Sequence, residues 1–238
     1  MQIIILAAGK GTRMKSSLPK VMHEVAGKPM IEHVIKNSRK VTEDLVLVYS
    51  DQLEPYLNDI GSTCKLVKQG QPLGTAHAVQ VAKHLFGKEE IAIIYGDNPL
   101  ISSKIIKELF SYLRNTNAAV VTLVFDYDQP NQYGRIITDA EGNFEKIIEE
   151  KFATAEEKKI TLCNSGVMIF APGILEKYID YCVHDSDLLA KESYLTDIIE
   201  VCKKFGECVS YYKVQDHRSV IGINTQEELV SANNLVNM

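Results

Sequence analysis

Residues 2–20 read QIIILAAGKGTRMKSSLPK, an apolar run that gives way to a glycine-rich, basic one. Gln2 is followed by three β-branched isoleucines and a leucine, the pattern of a strand covered on both faces rather than one alternating between core and water. The run ends in two alanines, and Gly9 and Gly11 then free the backbone to turn and to approach a ligand closely. A buried strand emptying into a glycine-rich loop is the opening unit of an open parallel sheet, where ligands gather at the carboxyl ends of strands.

The alternation continues outward from that unit. Further strand-like runs at 45–49, 63–67, 91–95 and 118–125 are interleaved with amphipathic segments at 29–39, 75–85 and 102–114. Strand then helix, repeated, predicts an α/β protein with a Rossmann-like, doubly wound sheet. After residue 125 the pattern changes. Residues 133–148 read as two strands about a turn at 141–143, and residues 162–170 as another, so an antiparallel extension should make the sheet mixed. Helices are expected near 174–181, 194–204 and 226–236. No internal repeat, low-complexity tract or Pro/Gly/Ser linker divides the chain, and residues 1–238 are expected to form one domain.

The composition, 45% hydrophobic and 24% charged over 238 residues, is that of a globular protein and excludes wholesale disorder. The net charge of −5 is unevenly spread: residues 10–28 hold Lys10, Arg13, Lys15, Lys20 and Lys28 against Glu24 alone, a local +4 that leaves −9 on the other 219 residues. Such a chain lacks the broad basic face that nucleic acid or an anionic membrane requires, and suits a small anionic ligand. The five cysteines are scattered without a CxxC pair and read as reduced thiols. The apolar run at 3–8 is too short for a signal-peptide core or a membrane span, so the cytoplasm is the expected compartment.

In the loop after the first strand, Gly9 and Gly11 offer close backbone approach, Arg13 a forked cation and Lys20 a compact one, a set suited to polyphosphate. It matches neither common phosphate loop. G-x-G-x-x-G fails at Met14, and G-x-x-x-x-G-K-[ST] fails because Met22 and Pro29 flank Gly27 and Lys28 at the required positions.

Taken whole, residues 6–20 resemble the signature L-A-A-G-x-G-[ST]-R-[ML], ending in P-K, of nucleotidyltransferases that join a nucleoside triphosphate to a sugar phosphate. Further strings agree in order: AGKPM at 26–30, Q-x-x-x-x-GTAHA at 69–78, YGDNPLI at 95–101, YGRI at 133–136, EEK at 149–151, NSGVMIF at 164–170, YLTDII at 194–199 and GIN at 222–224. Together they resemble the uridylyltransferase domain of the bacterial bifunctional N-acetylglucosamine-1-phosphate uridylyltransferase/glucosamine-1-phosphate acetyltransferase. Nothing in the sequence resembles the β-helix acetyltransferase domain that this family appends, so a separate acetyltransferase is the expected pathway partner.

The resemblance implies that Leu6, Ala7, Ala8 and Gly9, with Tyr95 and Gly96, line the uridine and phosphate site, and that Gln69, Gly74 and Thr75 read the uracil edge. A side-chain amide can satisfy both a carbonyl and an N–H of that base. Arg13 is implied for the β- and γ-phosphates and Lys20 for the phosphates near the α-phosphorus. Asp97 and Asn224 are implied to hold Mg²⁺, a hard cation content with few protein oxygens. By residue type alone, each of these two is equally suited to capping a helix. For the sugar, the resemblance implies Gly134, Glu149, Asn164, Tyr194 and Thr196, with residues 151–159 either a lid or a solvated loop. The six histidines show no metal-ligand spacing, and His23 and His77 are read as packing or supporting residues. Asn98 stands where an apolar residue is expected after YGD, and Ser165 where threonine is usual.

The implied reaction transfers UMP from UTP to a sugar 1-phosphate, N-acetylglucosamine 1-phosphate before others. It would give UDP-N-acetylglucosamine, a peptidoglycan and lipopolysaccharide precursor, with release of pyrophosphate. Two other readings stay open: a relative that uses CTP or another sugar phosphate, and a non-catalytic regulatory subunit that binds nucleotide sugars. Neither nucleic acid nor membrane is an expected partner.

Overall fold

In the computed structural model, which describes residues 1–60, 63–129, 131–183 and 192–236, the opening strand β1 (Gln2–Ala7) lies inside a nine-stranded sheet. Its side chains divide by parity: Ile3, Ile5 and Ala7 enter one core, Ile4 and Leu6 the other. Both faces are therefore covered, as the unbroken apolar run requires.

The loop after β1 leads to a short hairpin, β2 (Glu24–Val25) with β3 (Lys28–Pro29), and to helix α1 (Met30–Arg39). Strand β4 (Leu45–Tyr49), a single helical turn α2 (Leu57–Ile60), β5 (Lys65–Lys68), α3 (Thr75–Gln80), β6 (Ile91–Tyr95), α4 (Ser103–Asn115) and β7 (Val120–Asp126) follow. Helix α4 buries Ile106, Leu109, Phe110 and Leu113, one stripe at helical spacing, against the same core that α1 fills with Ile31, Val34 and Ile35. Helix α3 packs on the opposite face through Ala76, Ala78 and Val79. Helices on both faces make the sheet doubly wound.

Strands β8 (Arg135–Thr138) and β9 (Phe144–Ile148) form the expected hairpin, and β10 (Leu162–Phe170) and β11 (Val209–Lys213) complete the sheet. The strand order is β11-β7-β10-β6-β1-β4-β5, with the β8/β9 hairpin hanging from β10. Strands β6, β1, β4 and β5 are mutually parallel, whereas β10 is antiparallel to both β6 and β7. The antiparallel part is thus no appendage at an edge. Strand β10 is threaded between β6 and β7, which brings Asn164, near its start, to the end of the sheet where β1 and β6 finish. The order reverses at β1, because the chain winds outward through β4 and β5 before returning to β6, and a crevice opens at such a switch point. Among the described residues no helix is long and apolar enough to cross a membrane.

Candidate functional site

At the carboxyl end of β1 the chain must turn sharply, and Gly11 does so with φ of 59°, its missing side chain leaving room for Lys20, whose Cβ lies 2.6 Å from where a Gly11 Cβ would stand. The loop is thereby folded onto Lys20, and Arg13 rides on the short turn Thr12–Met14 that follows. A second sharp turn precedes α3. Gly74 has φ of 113°, and a Cβ there would fall on the backbone of Ser193. Backbone bonds from Ser193 to Leu73 (2.9 Å) and from Ala76 to Ser193 (3.0 Å), with one from Leu195 N–H to Thr75 Oγ1 (2.9 Å), lock the two segments together.

These loops enclose a cavity of about 830 Å³, within the size range of small-molecule sites. Leu6, Ala7, Ala8, Gly9, Arg13, Lys20, Gln69, Gly74, Thr75 and Tyr95 line it, so ten residues singled out from separate motifs come to one place. Gly96 lines neither this cavity nor its neighbour. It lies behind the wall, where a side chain would meet Ile31 at 2.9 Å and Val21 at 3.1 Å, and its N–H donates to the carbonyl of Leu6. Gln69 is almost fully buried; its amide nitrogen donates to the Gly74 carbonyl (3.2 Å) and pairs with His77 Nδ1 (2.9 Å).

A second cavity of about 410 Å³ adjoins the first and shares Arg13, Thr75, Tyr95, Asp97 and Asn224 with it. Gly134, Glu149, Asn164, Tyr194 and Thr196 line it, all five from the sugar set. Asn164 accepts from Thr122 Oγ1 (2.8 Å) and from the Gly166 N–H (3.1 Å) through Oδ1, which leaves its amide N–H groups for the cavity. Glu149 accepts from Thr196 Oγ1 (2.7 Å), and burial, only partly opposed by that bond, pushes its carboxyl above the usual range. Burial likewise raises Tyr95, whose hydroxyl is bonded to Thr75. Ser165 also lines the second cavity, with its hydroxyl turned to the neighbouring backbone. Its hydroxyl donates to the Leu123 carbonyl (2.8 Å) and accepts from Val167 N–H (3.2 Å), patching the break in register between β10 and β7.

Between the cavities stands a knot of charge. The Lys20 ammonium donates to Asp97 Oδ2 and to Asn224 Oδ1 (3.0 Å), while Arg13 donates to Asn224 Oδ1 (2.8 Å) and to Gln132 Oε1. Asp97 and Lys20 side chains keep only 12% and 14% of their exposure, so this pair is largely sheltered from solvent screening. The capping alternatives fall away. Ser102 caps α4 by accepting from Ile105 N–H, and Thr225 accepts from Glu228 N–H at the head of the last helix, Gln226–Val236. Glu228 in return accepts from the Asn224 and Thr225 N–H groups. The side-chain oxygens of Asp97 and Asn224 are left to converge on one positive charge. Two hard oxygens so placed fit Mg²⁺, which fills the rest of its shell from phosphate and water. Among the described residues no group of three or more His, Cys, Asp or Glu side chains could hold a metal.

Asn98, beside Asp97, donates through Nδ2 to the Val220 carbonyl (2.9 Å), and the Ile223 N–H donates to the Asp97 carbonyl (2.9 Å). These bonds stitch the Asp97 turn to the segment that carries Asn224. Residues 151–159 line neither cavity. They fold into the turns Glu150–Phe152 and Glu157–Lys159 tied by a Glu150–Lys158 pair (2.8 Å), and reach the mouth through Lys151, bonded to the Tyr194 hydroxyl, and Phe152, edge-on to the Tyr194 ring. The sequence reading missed Lys10, Thr12, Leu73 and Glu192 of the first cavity, and Gln132, Tyr133 and Gly222 of the second. Lys10 and Thr12 stood within the quoted loop; Glu192 carried no local signal.

Comparison with known proteins shows the family and the fold. A model of the MobA-like NTP transferase domain matches residues 3–160. The chain is 38% identical over 236 residues to the bifunctional protein GlmU of Enterococcus faecalis, covering 98% of this chain and 51% of that protein. It is 40% identical over 232 residues to the bifunctional protein GlmU of Lactococcus lactis subsp. lactis, covering 96% and 50% respectively. The chain thus spans about half the length of the curated relatives it matches. A solved structure from Bacillus anthracis, described as a glucose-1-phosphate thymidylyltransferase, superposes with a TM-score of 0.77 at 20% identity over 99% of this chain and 94% of that one, a likeness of fold.

Proposed function

We propose that this chain, which belongs to the MobA-like NTP transferase family and is a nucleotidyltransferase, transfers UMP from UTP to a sugar 1-phosphate, with N-acetylglucosamine 1-phosphate as the preferred acceptor. The observation that carries the reading is the meeting of two cavities at Arg13, Asp97 and Asn224. One has the size and the polar edge for a nucleotide, the other has amide and carboxyl groups for a sugar, and the charge knot stands where their phosphates would meet.

In the reaction a phosphate oxygen of the acceptor forms a bond to the α-phosphorus of UTP while the bond from that phosphorus to the bridging oxygen breaks. The electron pair leaves with pyrophosphate. No protein nucleophile, acid or base is required, so the chain's task is to position two polyanions and offset their charge. Arg13, exposed at the loop tip with a forked donor set, holds the departing β- and γ-phosphates. Lys20 moves from Asp97 and Asn224 onto the phosphates beside the α-phosphorus. Asp97 and Asn224 would hold Mg²⁺, which would supply positive charge to offset the phosphates. Gln69 reads the base, and Asn164 and Glu149 hold the acetamido and hydroxyl groups. The cytoplasm as the compartment belongs to this proposal.

The test is pyrophosphate release with each of UTP, CTP, dTTP and GTP, with Mg²⁺, against a panel of sugar 1-phosphates. Release is expected with UTP and N-acetylglucosamine 1-phosphate above every other pair. Faster release with CTP, or with a hexose 1-phosphate lacking the acetamido group, overturns the base or the acceptor assignment respectively.

A further inference from the structure

Gln69 can present either end of its amide to a bound base, and the two ends have opposite hydrogen-bonding sense. We propose that His77 is a positioning residue that sets base selectivity, by fixing the Gln69 amide so that its carbonyl oxygen faces the nucleotide. The inference rests on the reading of the first cavity as a nucleotide site.

The orientation follows from the partners. The Gly74 carbonyl, 3.2 Å from one end of the amide, can only accept, so that end is the NH₂ group. The same nitrogen lies 2.9 Å from His77 Nδ1, and since an amide nitrogen only donates, Nδ1 must offer a lone pair. The ring is therefore neutral with its proton on Nε2. His77 sits half-buried in α3, and burial pushes the imidazole below its ordinary pKa, which favours the neutral ring. Both amide hydrogens are then spent on protein acceptors. Oε1 is then the side-chain atom that Gln69 has left to offer the cavity that it lines. An acceptor facing ring position 3 pairs with the N3–H of uracil or thymine and repels the N3 lone pair of cytosine. His77 itself lines neither cavity, so it acts through Gln69 and not on the ligand.

The experiment compares wild type, His77→Phe and His77→Asn, measuring equilibrium binding of UTP and CTP by calorimetry, KM and kcat with UTP, and thermal melting. Phenylalanine keeps the ring and removes the acceptor; asparagine places Oδ1 close to where Nδ1 stood. Wild type is expected to bind UTP in preference to CTP. In His77→Phe that ratio should narrow about tenfold, the size expected for one lost orienting hydrogen bond, through KM more than kcat. His77→Asn should restore most of it. Where the phenylalanine variant does not fold, His77→Leu serves the same comparison. A folded variant lacking the acceptor that keeps the wild-type ratio overturns the proposal, as does a wild-type preference for CTP. Uridine preference, narrowed in the variant, in a protein that transfers to no sugar phosphate supports the role of His77 and overturns the transfer reading alone.

Discussion

The side-chain oxygen of Asn224 lies 3.0 Å from the ammonium of Lys20, although 204 residues separate them in the chain. The same ammonium is bonded to Asp97, so Lys20 sits on both oxygens assigned to a divalent cation. Lysine and metal cannot share that place.

Lys20→Met should therefore bind Mn²⁺ more tightly than wild type when no nucleotide is present, as read by electron paramagnetic resonance. The same variant should lose roughly 10²-fold in turnover, the usual scale for removing one preorganised charge-stabilising group. Unchanged or weaker Mn²⁺ binding in the folded variant would show that the cation is held elsewhere.

Glu149 gives a prediction in stability. Because burial raises its pKa, the folded chain binds that proton more tightly than the unfolded chain, whose value is about 4.3. The penalty of holding the ionised carboxylate is absent below that value and grows as pH rises through the folded one. Glu149→Gln should melt higher than wild type at pH 7, and the difference should vanish toward pH 4. Acceptor binding should weaken at the same time. A lower melting temperature at pH 7 would mean that the carboxylate is a net stabiliser.

Gly74 tests the frame that joins the two cavities. Its φ of 113° and the Ser193 backbone beside it leave no room for a side chain. Gly74→Ala should cost at least about 2 kcal/mol, or a fall of about 5 °C in melting temperature for a protein of this length. A melting temperature within one degree of wild type, a margin small against the roughly 2 to 4 °C that each kcal/mol shifts here, would show that the 73–76 and 193–195 segments yield easily.

Much of this was legible beforehand where the physics is local. Strands β1, β4 and β6 end within a residue of their expected limits because each is apolar on both faces, and no helix of that length competes. Strand β10 was bounded correctly, yet its place between β6 and β7 depends on pairing that no window of sequence contains. Strand β11 was missed because Val209, Ser210, Tyr211 and Tyr212 are all half-buried at an edge, so neither alternation nor a continuous apolar run marks it. In the site, motif residues converged from eight separate strings. The bonds that orient them, Asn98 to Val220, Gln132 to Arg13 and His77 to Gln69, leave no periodic trace. The cap of the last helix is different: Thr225 and Glu228 carry the T-x-x-E spacing of a capping box, which would have excluded Asn224 as the cap from sequence.

Transfer of the α-phosphoryl group together with its uridine can be followed with UTP labelled at that phosphorus. Incubated with Mg²⁺ and N-acetylglucosamine 1-phosphate, the protein should move the label into UDP-N-acetylglucosamine, with one pyrophosphate released per labelled product and about 10²-fold less product from Arg13→Ala. Label that stays in UTP, or that appears as UMP without a sugar nucleotide, would contradict it.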